Sequence, residues 1–299
     1  MLTRLIPFLF VLLWSSSFIA SKTGLRDLSP LLFVAVRLTL CAAVLLGAMA
    51  VRRESWRPLA GGKWFHCAVA GALLNALTLM PPHVGMRFVP AAHIALIQSL
   101  TPLLTAALGV VLLREPLLMR QWIGLLLGMT GVAIVVGPAA MGSATHLEGL
   151  ALAFLGVIGL VAGTLYFGRF CRGVPLLPGA TAQFVSGAAV AALSACLLET
   201  PSANWTDFAL ASVAWNTVVV SLGGMSLYGF MLARGSAARV SANFYLVPGM
   251  AALLSWLFLG ERLAPLAIVG LVVAGVGCAL VSARATPSPA PPPRPTHRP

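Results

Sequence analysis

The sequence predicts an all-α integral membrane protein, with ten transmembrane helices arranged as two inverted five-helix repeats. Three observations predict it: the apolarity of the whole chain, ten apolar stretches whose flanking charges alternate, and a repeat at an offset of 146 residues. Of the 299 residues, 59% are hydrophobic and 9% charged, with a mean hydropathy of +0.96. A soluble domain needs polar cover over most of its surface, so a chain this apolar finds its solvent in lipid.

Crossing the hydrocarbon core takes about 20 apolar residues. Ten stretches qualify: 5–24, 29–51, 64–86, 91–113, 119–137, 148–168, 178–198, 210–232, 239–259 and 264–283. The first follows Arg4 and ends in small residues, which imitates a secretory leader. It continues through Ser21, and its counterpart in the second half is internal, so it is read as helix 1. The tail RATPSPAPPPRPTHRP (284–299) is read as a disordered, proline-rich, cytoplasmic end with no core to join.

Loop charges set the expected orientation. An internal N-terminus puts fourteen Lys/Arg on the cytoplasmic side: Arg4; Arg52, Arg53, Arg57 and Lys63; Arg114 and Arg120; Arg169 and Arg172; Arg234 and Arg239; Arg284, Arg294 and Arg298. Only Lys22, Arg26, Arg87 and Arg262 fall outside, and Arg37 lies within helix 2. Both termini are then cytoplasmic, in a bacterial-type inner membrane. The net charge of +12 is scattered through short loops, with no nucleic-acid-binding module, and suits anionic lipid headgroups instead.

The segment from Ala91 aligns without gaps to the segment from Ala237. Pro102 then meets Pro248, Glu115 meets Glu261, Gly124 meets Gly270 and Gly131 meets Gly277; the same offset pairs Arg37 with Gln183. The glutamates carry weight because the chain has only seven acidic residues. The expected units are residues 1–140, a second, inverted unit at 141–283, and the tail. Five spans per unit turn the second copy upside down, the architecture from which secondary transporters obtain alternating access.

LTPLLTAALGVVLLREPL, LVPGMAALLSWLFLGERL, the LLWSSSFIASK of helix 1 and the LLFVAVRLTL of helix 2 resemble the drug/metabolite transporter superfamily, in its EamA-like branch. The resemblance covers residues 1 to about 283 and implies a ten-helix carrier that exports amino acids and other metabolites, or carries sugars, nucleotide sugars or drugs. The cargo stays open within that set.

A polar side chain in lipid needs a reason. Arg37 lies roughly 10 Å inside the outer end of helix 2; it reads as a carboxylate contact in a cavity or as a structurally paired arginine. Pro102 and Pro248, near the middle of helices 4 and 9, each remove a backbone hydrogen bond and are candidate helix breaks. Cavity candidates are Gln98 and Thr101 on one face of helix 4, Asn75 and Thr78 on one face of helix 3, Gln183, Asn243 and Tyr245, with Trp14, Tyr166 and Tyr228. The histidines at 66, 83, 93 and 146 are read as interfacial, and the five cysteines as small hydrophobes.

No Asp or Glu is expected inside a span, which disfavours a carboxylate proton relay or sodium site. There is no Walker A loop, G-x-S-x-G element, metal pattern or paired acid and base, so neither catalysis nor a cofactor or metal is expected. The expectation is a secondary transporter of a small neutral or zwitterionic metabolite, an exporter of amino acids or related compounds first. Drug or other metabolite efflux is the alternative, with a lipid flippase or membrane scaffold as the rival of a different class. The expected partners are a small-molecule substrate and the bilayer, no nucleic acid, and as a candidate a second copy in a homodimer.

Overall fold

The computed structural model describes residues 2–101, 104, 108, 119–142, 144–224, 227, 246–260 and 265–282. Pro102, Thr105, Glu115, Tyr228, Asn243, Tyr245, Glu261 and the proline-rich tail lie outside the described residues.

Helices fall in all ten apolar stretches. They are α1 (Leu2–Gly24), α2 (Pro30–Val51), α3 (Lys63–Gly85), α4 (Ala91–Gln98), α5 (Met119–Gly142), α6 (Ala144–Phe170), α7 (Leu176–Leu198), α8 (Asp207–Gly224), α9 (Val247–Leu259) and α10 (Pro265–Ser282). Among the described residues six of them, α1 from Ile6 together with α2, α3, α6, α7 and α8, are long and apolar enough to cross a membrane. No strand occurs among the described residues. Large apolar side chains such as Leu193, Leu126, Phe208, Trp256 and Phe258 stand on the surface, where only lipid can cover them. The chain is an all-helical, multi-pass membrane protein.

Local chemistry explains where the helices start and stop. Pro30 opens α2 at a first-turn position that needs no N–H. Thr206 caps α8 by accepting from the Ala209 N–H at 3.1 Å and donates its own hydroxyl to Asp27 at 2.6 Å. Gly260 ends α9 in the left-handed region (φ 68°), and its N–H returns to the Ser255 carbonyl. The expectation of no Asp or Glu inside a span does not hold: Glu148 lies in the second turn of α6 and Asp207 opens α8, both exposed near a helix end where water can reach the carboxylate.

The α1–α2 and α7–α8 connections meet at one end of the molecule. Leu28 and Ala203 form a lone bridge, the Ser29 N–H donates to the Ser202 carbonyl at 2.9 Å, and Asn204 donates to the Asp27 carbonyl. The α3–α4 connection joins the same end, where Lys22 donates to the carbonyls of Met86 at 2.5 Å and Val89 at 2.9 Å. At the opposite end, Leu59 of the α2–α3 connection packs with Cys67, Cys171 and Ala182.

Helices α5 and α10 lie against each other on bare glycine faces. A Cβ added at Gly131 would come within 2.3 Å of the Ala274 nitrogen and 2.6 Å of the Gly270 carbonyl. One added at Gly277 would come within 2.3 Å of the Gly128 nitrogen and 2.5 Å of the Gly124 carbonyl. These contacts are reciprocal: 146 residues on from Gly131, Gly128 and Gly124 stand Gly277, Ala274 and Gly270. Backbone-to-backbone packing of this kind is how helices associate where water provides no hydrophobic drive.

Two helices change their winding at matching positions. In α3, residues Ala72–Leu77 form a π segment; in α8, Trp215–Gly224 do, a stretch that contains the positions 146 residues on. In α3 the cause is visible in sequence. Pro81 and Pro82 supply no N–H to the turn before them, and the Thr78 hydroxyl bonds the Leu73 carbonyl at 2.9 Å. Gly156 of α6 lets the Pro82 ring approach: a Cβ there would lie 2.3 Å from Pro82 Cγ.

Candidate functional site

Arg37 is 5% exposed and points from α2 toward the π segment of α8. Its Nη1 donates to Asn216 Oδ1 at 2.9 Å; Nε and Nη2 donate to Ser221 Oγ at 3.2 and 3.1 Å. Ser17 of α1 donates to the same Asn216 oxygen at 2.8 Å, and Asn216 in turn donates to the Ser212 carbonyl at 3.1 Å. A guanidinium in lipid is costly unless its N–H groups find acceptors. α8 supplies them here, with Ser17 of α1 bonded to the same asparagine, and no ion pair reaches Arg37 among the described residues. Wider winding and a buried asparagine make α8 an acceptor surface rather than a plain apolar face. Thr217, beside Asn216 and 3% exposed, keeps its hydroxyl without a partner among the described residues, as does Ser255 on α9.

Asn75 and Gln183 form a second pair: the Asn75 amide donates to the Gln183 backbone carbonyl at 3.1 Å. Gly71 and Gly187 bring α3 and α7 together around it; a Cβ on Gly71 would lie 2.2 Å from the same carbonyl oxygen. The Gln183 side chain is half-buried. Thr78 is spent on the π segment, as described above. Thr101 folds back on the Gln98 carbonyl at 2.7 Å, so that pair is local. Trp14 packs beside Phe10, with ring centroids 5.5 Å apart, and a Cβ on Gly224 would lie 3.7 Å from its Cε3.

Tyr166 stands elsewhere, toward the end of the molecule that carries Leu59 and Cys171. Its hydroxyl is 2.8 Å from His66 Nδ1, and both rings pack on Phe170, with centroids 4.6 and 4.9 Å away. Arg169 lies over the same phenylalanine. Aromatic groups with polar tips suit a membrane interface. Pro248, expected in mid-helix, stands in the first turn of α9 as described, and the residues that would show a break lie outside the described residues. Just before it, the Val247 carbonyl accepts from Ser15 of α1 at 3.1 Å.

Several sequence expectations change. His83 is not interfacial: it is 4% exposed, its Nδ1 is 2.7 Å from the Leu79 carbonyl and its Nε2 3.1 Å from Ser21 Oγ. Cys67 and Cys171, 104 residues apart, are neighbours with sulfurs 3.9 Å apart, both as free thiols. Asn216 was the missed residue of greatest consequence. It is the single asparagine of the 210–232 stretch, whose other polar residues carry only hydroxyls, and the argument applied to Arg37 would have singled it out.

The chain matches the EamA-like transporter family twice, over residues 3–137 and again over 147–283. An uncharacterised transporter of Bacillus subtilis is 27% identical over 94% of this chain and 92% of its own length. A protein of Streptantibioticus cattleyicolor, named a probable terminal-alkyne amino-acid exporter, is 29% identical over 92% of each chain. A probable amino-acid metabolite efflux pump of Salmonella typhimurium is 25% identical over 90% of this chain and 91% of its own. One solved crystal structure superposes with a TM-score of 0.66 at 21% identity, covering 93% of this chain and 96% of the other, a likeness of fold.

Proposed function

The chain belongs to the EamA-like transporter family, and from that premise we propose that it exports amino acids or related zwitterionic metabolites by alternating access. The observation that carries this reading is the buried polar ring around Arg37, built by three helices of a membrane protein and holding a cation with no acid bonded to it among the described residues. Two relatives named as amino-acid exporters or efflux pumps support the cargo class.

The working architecture is ten crossings in two inverted halves, residues 1–140 and 141–283. The reciprocal glycine contacts of α5 with α10, the π segments at matching positions and the double family match support it. Exchange of conformations between two equivalent halves opens a central space to one side and then the other. Loop charges favour both termini in the cytoplasm of an inner membrane, which puts the α1–α2, α3–α4 and α7–α8 connections outside. In that frame Lys22, Asp27 and Ser29 tie these connections to one another at the outer end.

The test is efflux from proteoliposomes loaded with a panel of labelled amino acids, amino-acid derivatives and uncharged metabolites. Protein-dependent efflux of zwitterions, competed by unlabelled substrate, supports the reading. Folded, reconstituted protein that moves none of the panel overturns it.

A further inference from the structure

His83 is a titratable ring enclosed where three helices meet. A backbone carbonyl can only accept, so the Leu79 oxygen at 2.7 Å fixes the hydrogen on Nδ1. Nε2 is left facing the Ser21 hydroxyl of α1 at 3.1 Å, as an acceptor. Phe33 of α2 stacks on the ring at 5.6 Å, one turn before Arg37 on the same helix. The ring thus bridges α3 to α1 and α2 at the end tied by Lys22.

The charged groups around it are few. From α2 comes Arg37; on α1, Lys22 follows Ser21 and bonds the Met86 and Val89 carbonyls just beyond α3. In the connection just beyond α3 the next charge is exposed Arg87. The α4 and α6 contacts near this stretch are made by Ile94, Gly149 and Gly156, with His93 the adjacent titratable group. No carboxylate bonds the ring among the described residues.

We propose that His83 is a proton-binding site of the outer gate: the closed contact holds the ring neutral between Leu79 and Ser21, and opening gives Nε2 to external water, from which it takes a proton. A second proton in the closed state would set a cation in an enclosed site that already holds Arg37. Proton binding and opening are then one linked equilibrium, and each favours the other by the same factor. This rests on the transporter reading above for the opening and for which end is outer, while its test needs no substrate.

The experiment places spin labels at exposed Arg87 and Trp205, in the α3–α4 and α7–α8 connections, in a full-length background with the native cysteines replaced. The distance distribution is measured in nanodiscs at pH 8 and pH 5. Wild type is expected to gain a longer-distance population at pH 5, its ratio to the closed one rising about tenfold for each pH unit of difference in proton affinity between the states. In His83→Gln the distribution is expected to be the same at both pH values. Ser21→Ala removes the Nε2 neighbour but keeps the ring, and is expected to keep the response with a displaced midpoint. A wild type indifferent to pH overturns the proposal, as does an undiminished response in His83→Gln, which would assign the titration to His93 or another group. An unmoved midpoint in Ser21→Ala overturns it too.

Discussion

Arg37 and Ser221 are joined by two hydrogen bonds, at 3.2 and 3.1 Å, and the positions 146 residues from each are themselves bonded. From Arg37 that offset leads to Gln183, and Ser221 lies at the same offset from Asn75. Asn75 donates to the Gln183 carbonyl at 3.1 Å. One contact is thus made twice, with different chemistry. Between α3 and α7 it is a neutral side chain on a backbone carbonyl, helped by the close approach at Gly71 and Gly187. Between α2 and α8 it is a guanidinium shared by two side chains. The two contacts, 146 residues apart in sequence, share a common geometry while only one carries charge.

That difference sets an expected ratio of costs. Asn216→Ala removes the Nη1 acceptor of Arg37 and strands the Ser17 hydroxyl, so it should destabilise by about 1.5–3 kcal/mol, the range for bonds to charged groups. Asn75→Ala deletes one neutral bond and should cost about 1 kcal/mol. Unfolding of both variants in mixed micelles measures the ratio. Equal costs would mean that the charge on Arg37 adds nothing to this contact.

The glycine faces of α5 and α10 have an internal control. Gly131→Ala pushes a methyl group onto the Ala274 backbone and should cost about 1–3 kcal/mol or part the helices. Gly275, on the same α10, has no atom within 4 Å of a would-be Cβ. Gly275→Ala should be neutral or gain about 0.5–1 kcal/mol from helix propensity. Thermal unfolding followed by size-exclusion chromatography separates the two. Similar melting of both variants would remove close packing as the reason for these glycines.

Much of the fold was legible because lipid simplifies the problem: crossing length and loop charge speak through composition alone. Arg37 was legible as costly, since a cation in an apolar run announces itself. Its partners were not, because Asn216 and Ser221 lie 179 and 184 residues away and hydropathy says nothing of helix rotation. His83 was misjudged for a related reason. Its place near a span end suggested solvent, yet the chain closes over that end through Ser21, Phe33 and Lys22. The π segments left a trace in α3, in Pro81 and Pro82, but none in the described part of α8.

The sulfur pair has a chemical signature. Burial, and then the adjacent Cys67 thiol, pushes Cys171 up from 9.0 to about 12. Less thiolate is then present near neutral pH than in the unfolded chain. Maleimide modification of the Cys171 peptide, followed by mass spectrometry, should therefore be slower in the folded protein by more than about tenfold. The sign for stability follows: the unfolded state loses this proton first, so the group's contribution is intact below pH 9 and declines as pH rises from 9 to 12. Folded and denatured rates within tenfold of each other would show that the thiol is not enclosed.

Lys22 reaches from the end of α1 to two carbonyls beyond α3, and both bonds are charge-assisted. An ammonium at a helix C-terminus also meets the negative end of the helix dipole. The residue therefore serves two purposes, satisfying carbonyls that the turn leaves open and holding the α3–α4 connection against α1. Lys22→Met keeps the stem and removes the donors, and should cost about 1.5–3 kcal/mol. The loss should be local before it is global. Arg87, exposed in that connection, offers trypsin a cleavage site whose rate follows how often the segment opens. Faster cleavage after Arg87 in Lys22→Met, with other exposed sites such as Arg172 unchanged, is the expected pattern. A uniform rise at both sites would instead mean that Lys22 supports the whole fold rather than this one closure.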